Sequence, residues 1–273
     1  MTSPAHAPAE AFFLATPLGE RYCLYHAPQG QCRGALVYLH PFAEEMNKSR
    51  RMAATQSRAL AALGYGVLQI DLQGCGDSEG DFGEARWEHW LADVDAARNW
   101  LHARLNVDVG LWGLRLGALL ALDYARKTPV AQLLLWQPVL QGSTYLTQFL
   151  RLRVAGDMLD PEAGAGGGTK QLRAQLANGE TLEIGGYLLA PQLATSIDAL
   201  DAAALAPSCG AHWMEIVPAA DRPLPPAAQR VADGWPLAPA VTRVVCPPFW
   251  SSQEITESPS LIEATCAQLK GTP

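Results

Sequence analysis

The sequence has no apolar run long enough for a membrane helix, no C-x-x-C pair and no extended basic tract, and each absence removes a class of protein. The longest apolar stretch, around residues 109 to 122, is interrupted by Arg115 and falls short of the roughly 20 residues a bilayer span requires. The six cysteines (Cys23, Cys32, Cys75, Cys209, Cys246 and Cys266) are scattered without finger spacing, so no metal site or other cofactor is implied. A chain of 273 residues does not need disulfide staples, and the thiols read as mostly reduced. Positive charge is in deficit, with Lys and Arg 20 against Asp and Glu 27, which speaks against nucleic acid or an anionic membrane as partner. The short basic run "NKSRR" (47–51) reads as the solvated start of a helix. The first residues lack a basic segment followed by a long apolar one, so no signal peptide is expected and a cytoplasmic location is.

What is present is core material: 49% hydrophobic and 17% charged residues, enough for one domain across 1–273. "AFFLAT" and "RYCLYHAP" read as an opening hairpin. "GALVYLHP" (34–41) is a continuous apolar run of the kind buried on both faces of a parallel sheet. A helical pattern over 50–63 follows, ended by Gly64, and then the strand "GYGVLQID" enters the turn "LQGCGDSEGD". A second helical face runs from Glu84 to Leu105, followed by "VDVGLW", a helix to about Lys127 and the strand "AQLLLWQP". This alternation predicts an α/β fold with a doubly wound, mostly parallel sheet.

Between 142 and 205 the alternation stops. A helical piece, a glycine run, a hairpin pattern in "GETLEIGGYLL" and another short helix predict a small cap or lid, with "GAGGG" (164–168) its most mobile part. The strand "AHWMEIVP", the helix "LPPAAQRVADGW", the strand "AVTRVV" and a last helix at 258–269 restore the rhythm.

The sharpest local signal is "GLWGLRLGALLALDYA", in which Gly113-x-Arg115-x-Gly117 joins an apolar strand to a helix. In ester-hydrolysing proteins that turn carries Ser at its centre. Together with "YLHPFAEEMNKSRRM", "DLQGCGDSEGDF" and "PPFWSSQEITESPSL", in this order, it resembles the α/β-hydrolase superfamily and, more narrowly, the second type of exosortase A system-associated hydrolases. The resemblance covers nearly the whole chain. It implies a hydrolase fold, a link to PEP-CTERM protein sorting and exopolysaccharide export, and a protein partner in that system.

The superfamily's chemistry requires a nucleophile, an acid and a late His, with two backbone N–H groups for the oxyanion. Its oxyanion loop maps onto His40-Pro41-Phe42, and Leu116 follows the elbow residue. His40 reads equally as a strand cap bonded to nearby backbone. Asp221 matches the acid position, although loop carboxylates are often merely solvated. Arg115 stands at the nucleophile position and is no nucleophile, because guanidinium has no acceptor lone pair. None of the six histidines follows Asp221, and the expected His loop reads Pro248-Phe249-Trp250-Ser251, so a Ser-His-Asp triad cannot be assembled.

Two functional readings follow. One is a binding relative that holds a small anionic or acyl ligand or a partner, with Arg115, Glu44, Glu45 and Trp250 around the old cleft. The other is an acyl-ester or thioester hydrolase with Cys75 as nucleophile and His40 as base, against the simpler reading of Cys75 as a packed residue in a tight turn. Glu44, Glu45, Asp77 and Asp81 are carboxylates that could neutralise Arg115. The guanidinium thus has two readings, a structural partner or an anion site. Trp112, Trp136 and Trp213 read as core, Trp250 as a pocket residue.

Overall fold

The structure, a computed structural model, describes residues 8–159 and 168–270. Strands β1 (Glu10–Thr16) and β2 (Gly19–His26) form the expected antiparallel hairpin, and β2 joins β4 (Tyr65–Ile70) antiparallel. From β4 onward every pairing is parallel through β3 (Gly34–Leu39), β5 (Val109–Leu114), β6 (Leu133–Trp136), β9 (Ala211–Val217) and β10 (Ala240–Val245). The eight strands lie in the order β1-β2-β4-β3-β5-β6-β9-β10. This is the predicted α/β-hydrolase fold.

Continuous apolar runs make this sheet because both of its faces are covered. All six residues of β5 and all four of β6 are buried. Helices α1 (Glu44–Ala62) and α8 (Pro259–Lys270) cover one face, where Met52, Leu60, Leu261 and Leu269 pack with Trp112 and Trp136. Helices α2 (Trp87–Leu105), α3 (Leu116–Lys127) and α7 (Pro226–Gly234) cover the other, where Trp213 lies. The three strand tryptophans are therefore core, as read from the sequence.

Several boundaries differ from the sequence reading. Helix α1 begins at Glu44, so "NKSRR" lies inside it, with Ser49 buried against the fold. Hydrophobic periodicity could not show this, since the first turn carries polar residues. Strand β5 continues past Trp112 to Leu114, which pairs with Trp136 of β6. Helix α2 starts at Trp87; a separate turn of 3-10 helix at Phe82–Glu84 precedes it, held by the Asp81 N–H donating to Glu84 Oε2 at 3.1 Å.

The segment between β6 and β9 contains α4 (Gly142–Leu159), α5 (Gly168–Ala177), the hairpin β7 (Leu182–Ile184) and β8 (Tyr187–Leu189), and α6 (Pro191–Asp198). Its aromatic side chains reach the loops after β3 and β4: Phe149 meets Phe42 with ring centroids 4.9 Å apart, and Tyr187 meets Phe82 at 5.1 Å. The glycine run expected to be mobile lies outside the described residues except for Gly168, which opens α5.

Candidate functional site

The site grows from the turn between β5 and α3. Arg115 has φ 56° and ψ −116°, a backbone conformation that L side chains rarely adopt and that costs on the order of 1–3 kcal/mol. Close packing enforces it. A Cβ on Gly117 would collide with the Leu39 and His40 carbonyl oxygens, and one on Gly113 with the backbone of Ala118 and Gly117. The chain there is held by Arg115 N–H donating to the Trp136 carbonyl at 3.0 Å and Val139 N–H donating to the Arg115 carbonyl at 3.2 Å. The sharp elbow of an ester hydrolase is thus kept around a cation.

The guanidinium is boxed. Its carbon lies 5.2 Å from the Trp250 ring centre and 5.6 Å from that of Tyr145, both within cation–π range. Nε is buried and 3.5 Å from Glu45 Oε1, an ionic contact without hydrogen-bond geometry. Glu45 Oε2 accepts the Tyr145 hydroxyl at 3.2 Å. Burial holds the Glu45 carboxyl above its ordinary pKa, against the opposing pull of Arg115, Tyr145 and Lys48. Burial likewise raises Tyr145, helped by the Glu45 charge.

Of the four carboxylates considered near Arg115, only Glu45 reaches it. Glu44 turns outward to Lys48 at 2.9 Å, because adjacent positions on a helix point about 100° apart. Neither Asp77 nor Asp81 forms an ion pair with Arg115 among the described residues: the Asp77 charge acts on Arg50, and the Asp81 side chain caps the 3-10 turn. Tyr145 was missed because it sits thirty residues away on α4, in a segment whose docking no local pattern announces.

His40 is buried at the end of β3 with both ring nitrogens committed. Nδ1–H donates to the Pro41 carbonyl at 2.8 Å, and Nε2 accepts Leu72 N–H at 3.2 Å. Those bonds define one neutral tautomer, and burial keeps its pKa down. His40 thereby ties the loop after β3 to the loop after β4 and has no lone pair left to act as base. Phe42 and Leu116 line one narrow, nearly filled apolar space beside it, with Cys75. Leu116 opens α3, so its N–H belongs to the first turn that has no intrahelical acceptor.

Cys75 is not poised as a nucleophile. Its thiol is buried, and burial together with Asp71 and Asp93 pushes its pKa far up, which disfavours the thiolate. Its supposed base is the occupied His40.

Asp221 is exposed on the loop after β9 and meets no cation or histidine among the described residues. A buried carboxylate on β9 itself is Glu215, 4% exposed, which accepts Trp213 Nε1 at 2.9 Å and Gln137 Nε2 at 3.2 Å. Burial raises its pKa, and the Arg115 charge opposes that rise. Glu215 was not legible in the sequence, since one acidic residue in an otherwise apolar strand looks like an outward-facing position.

Two clefts flank the elbow. One of about 360 Å³ is lined by Glu44, Glu45, Lys48 and Trp250, the other of about 530 Å³ by Gln141, Thr144, Asp201 and Arg230; Arg115, Tyr145 and Gln148 border both. A further cavity of about 600 Å³ lies apart from Arg115 around the Arg50–Asp71 ion pair. No group of His, Cys, Asp and Glu suited to a metal occurs among the described residues.

Known proteins share this fold. The family described as Serine aminopeptidase, S33 matches residues 30–161. Protein ABHD12B of Homo sapiens is 33% identical over 109 residues, 40% of this chain and 29% of that protein's length. Among solved structures, Est1E from Butyrivibrio proteoclasticus with ferulic acid bound superposes with a TM-score of 0.65 at 13% identity, covering 95% of this chain and 96% of that one. A soluble variant of monoglyceride lipase from Saccharomyces cerevisiae gives 0.64 at 14% identity, covering 97% and 94%. XC6422 from Xanthomonas campestris, described as a serine hydrolase without lid, gives 0.58 at 16% identity over 100% of both chains. The fold is that of the α/β-hydrolases. The sequence match to that family runs across the loop after β3, the elbow and α3.

Proposed function

We propose that the chain is a ligand-binding relative of the α/β-hydrolases, holding a small anionic or acyl ligand in the former active-site cleft without serine-triad chemistry. The observation that carries this reading is Arg115 at the centre of an intact elbow, with φ 56° retained and the side chain bordering both clefts. A strained backbone persists only where its surroundings over-determine it. A guanidinium held there supplies hydrogen-bond donors beside the helix N-terminus, an arrangement suited to oxyanions. The segment 142–205 acts as the lid of this cleft.

The narrower kinship with exosortase A system-associated hydrolases rests on the sequence motifs. On that kinship the protein works in the cytoplasm beside the PEP-CTERM and exopolysaccharide machinery, with a protein partner there.

The test is esterase assay, active-site labelling and thermal shift together. Short-chain p-nitrophenyl esters should turn over near background, because a hydrolase without its triad retains only roughly 10³–10⁴-fold over water. Serine-directed phosphonates should leave the protein unlabelled, and an anion that raises the wild-type melting temperature should fail on Arg115→Ala. Stoichiometric phosphonate labelling near the elbow would sink the reading. Ester turnover abolished by Cys75→Ser would replace it with cysteine hydrolysis.

A further inference from the structure

The two clefts at the elbow differ in charge. On the smaller side Glu45 answers Arg115 and Glu44 answers Lys48. On the larger side the cations outnumber the carboxylates. Arg230, on the exposed face of α7, makes no hydrogen bond or ion pair among the described residues. The two Nη nitrogens of Arg115 likewise have no hydrogen bond there, and Nε lies 3.5 Å from Glu45 Oε1. The single carboxylate in this cleft is Asp201, whose Oδ1 already accepts the Ala203 N–H at 2.9 Å. The same cleft has an apolar part of its wall made by Pro138, Val139, Leu140 and Val231.

We infer that the cleft between Arg115 and Arg230 takes an amphipathic organic carboxylate, its acyl or aryl body against Val139, Leu140 and Val231 and its carboxylate between the two guanidinium groups. This rests on the reading of the cleft as a binding site and names its ligand class. Guanidinium is a donor-only fork that matches a carboxylate, so each of the two offers N–H groups that an oxyanion accepts. A neutral ester of the same body would fill the apolar wall but bring no counter-charge to Arg230 and no charged acceptor to the Nη groups of Arg115. The site therefore selects the free acid, the species an ester hydrolase would release rather than consume. At about 530 Å³ the cleft has the capacity of a small-molecule site.

Calorimetric titration of the full chain at neutral pH tests this with four probes: 3-phenylpropionate, its methyl ester, D-glucuronate and inorganic phosphate. The variants are Arg230→Gln, Arg115→Gln and Lys48→Gln. Arg230 is exposed, so its replacement leaves the fold intact. The acid should bind wild type, and esterification or either arginine substitution should weaken binding about tenfold or more, as expected for losing a charge-assisted contact. Lys48→Gln, which touches only the smaller cleft, should bind as wild type does. Equal affinity for acid and ester, indifference to Arg230→Gln, preference for glucuronate or phosphate, or no binding of the acid would each overturn the inference. Binding lost in Lys48→Gln alone would place the ligand in the smaller cleft, ending this assignment while leaving the binding function intact. Release of acid from the methyl ester would instead overturn the binding function itself.

Discussion

Arg115 Nε lies 3.5 Å from Glu45 Oε1, and the two side chains are 17% and 20% exposed, so the pair is shielded without being sealed. Each group has a further partner: the aromatic rings for the cation, the Tyr145 hydroxyl for the carboxylate. Charge is thus balanced locally across three elements, the elbow, α1 and α4. A double-mutant cycle with Arg115→Gln and Glu45→Gln should give a favourable coupling of about 0.5–3 kcal/mol in chemical denaturation. A coupling indistinguishable from zero would mean the contact is incidental.

The backbone at 115 should invert a familiar preference. Both Arg115→Ala and Arg115→Gly remove the ion contact, so their difference isolates the turn. With φ at 56° and ψ at −116°, the Gly variant should be more stable than the Ala variant by about 1–2 kcal/mol. Urea midpoints measure this directly. Ala equal to or better than Gly would show that the turn is relaxed in solution.

Gly117 tolerates no side chain, because its α hydrogen faces the Leu39 and His40 carbonyls that end β3. Gly117→Ala must push α3 away from β3 and should cost about 1–3 kcal/mol or prevent folding. Gly156, where a Cβ meets nothing, is the control, and its Ala variant should melt at or above wild type. Similar melting of both variants would refute the close packing.

Acid should destabilise the protein partly through His26. Burial lowers its pKa from 6.5 to about 4, with the Arg58 charge adding to the effect. A folded pKa below the unfolded one means that the unfolded chain takes up the proton first. The stabilisation is therefore complete above pH 6.5 and is lost as pH falls toward 4. His26→Gln can still bond the Gln69 side chain, which now contacts His26 Nε2 at 3.3 Å. The gap in melting temperature between wild type and His26→Gln should shift in favour of the variant across that window. Parallel pH profiles would exclude His26 as a source.

Much of the fold was legible because its signals are local. Continuous apolar strands, helical stripes and the Gly113–Gly117 spacing are consequences of short-range geometry, and they locate the sheet, its helices and the elbow. Chain order alone excluded a hydrolase triad, since no histidine follows Asp221. Composition showed a core and little positive charge. What surrounds Arg115 was decided only in three dimensions. Glu45 rather than Glu44 faces it because of how α1 is rotated on the sheet, and Tyr145 and Trp250 arrive from segments 30 and 135 positions away. The same holds for Asp221, which lies in solvent while Glu215 is the buried acid. Side-chain partners depend on helix rotation and on the docking of distant segments, and both are set by packing of the whole core rather than by the residues nearby.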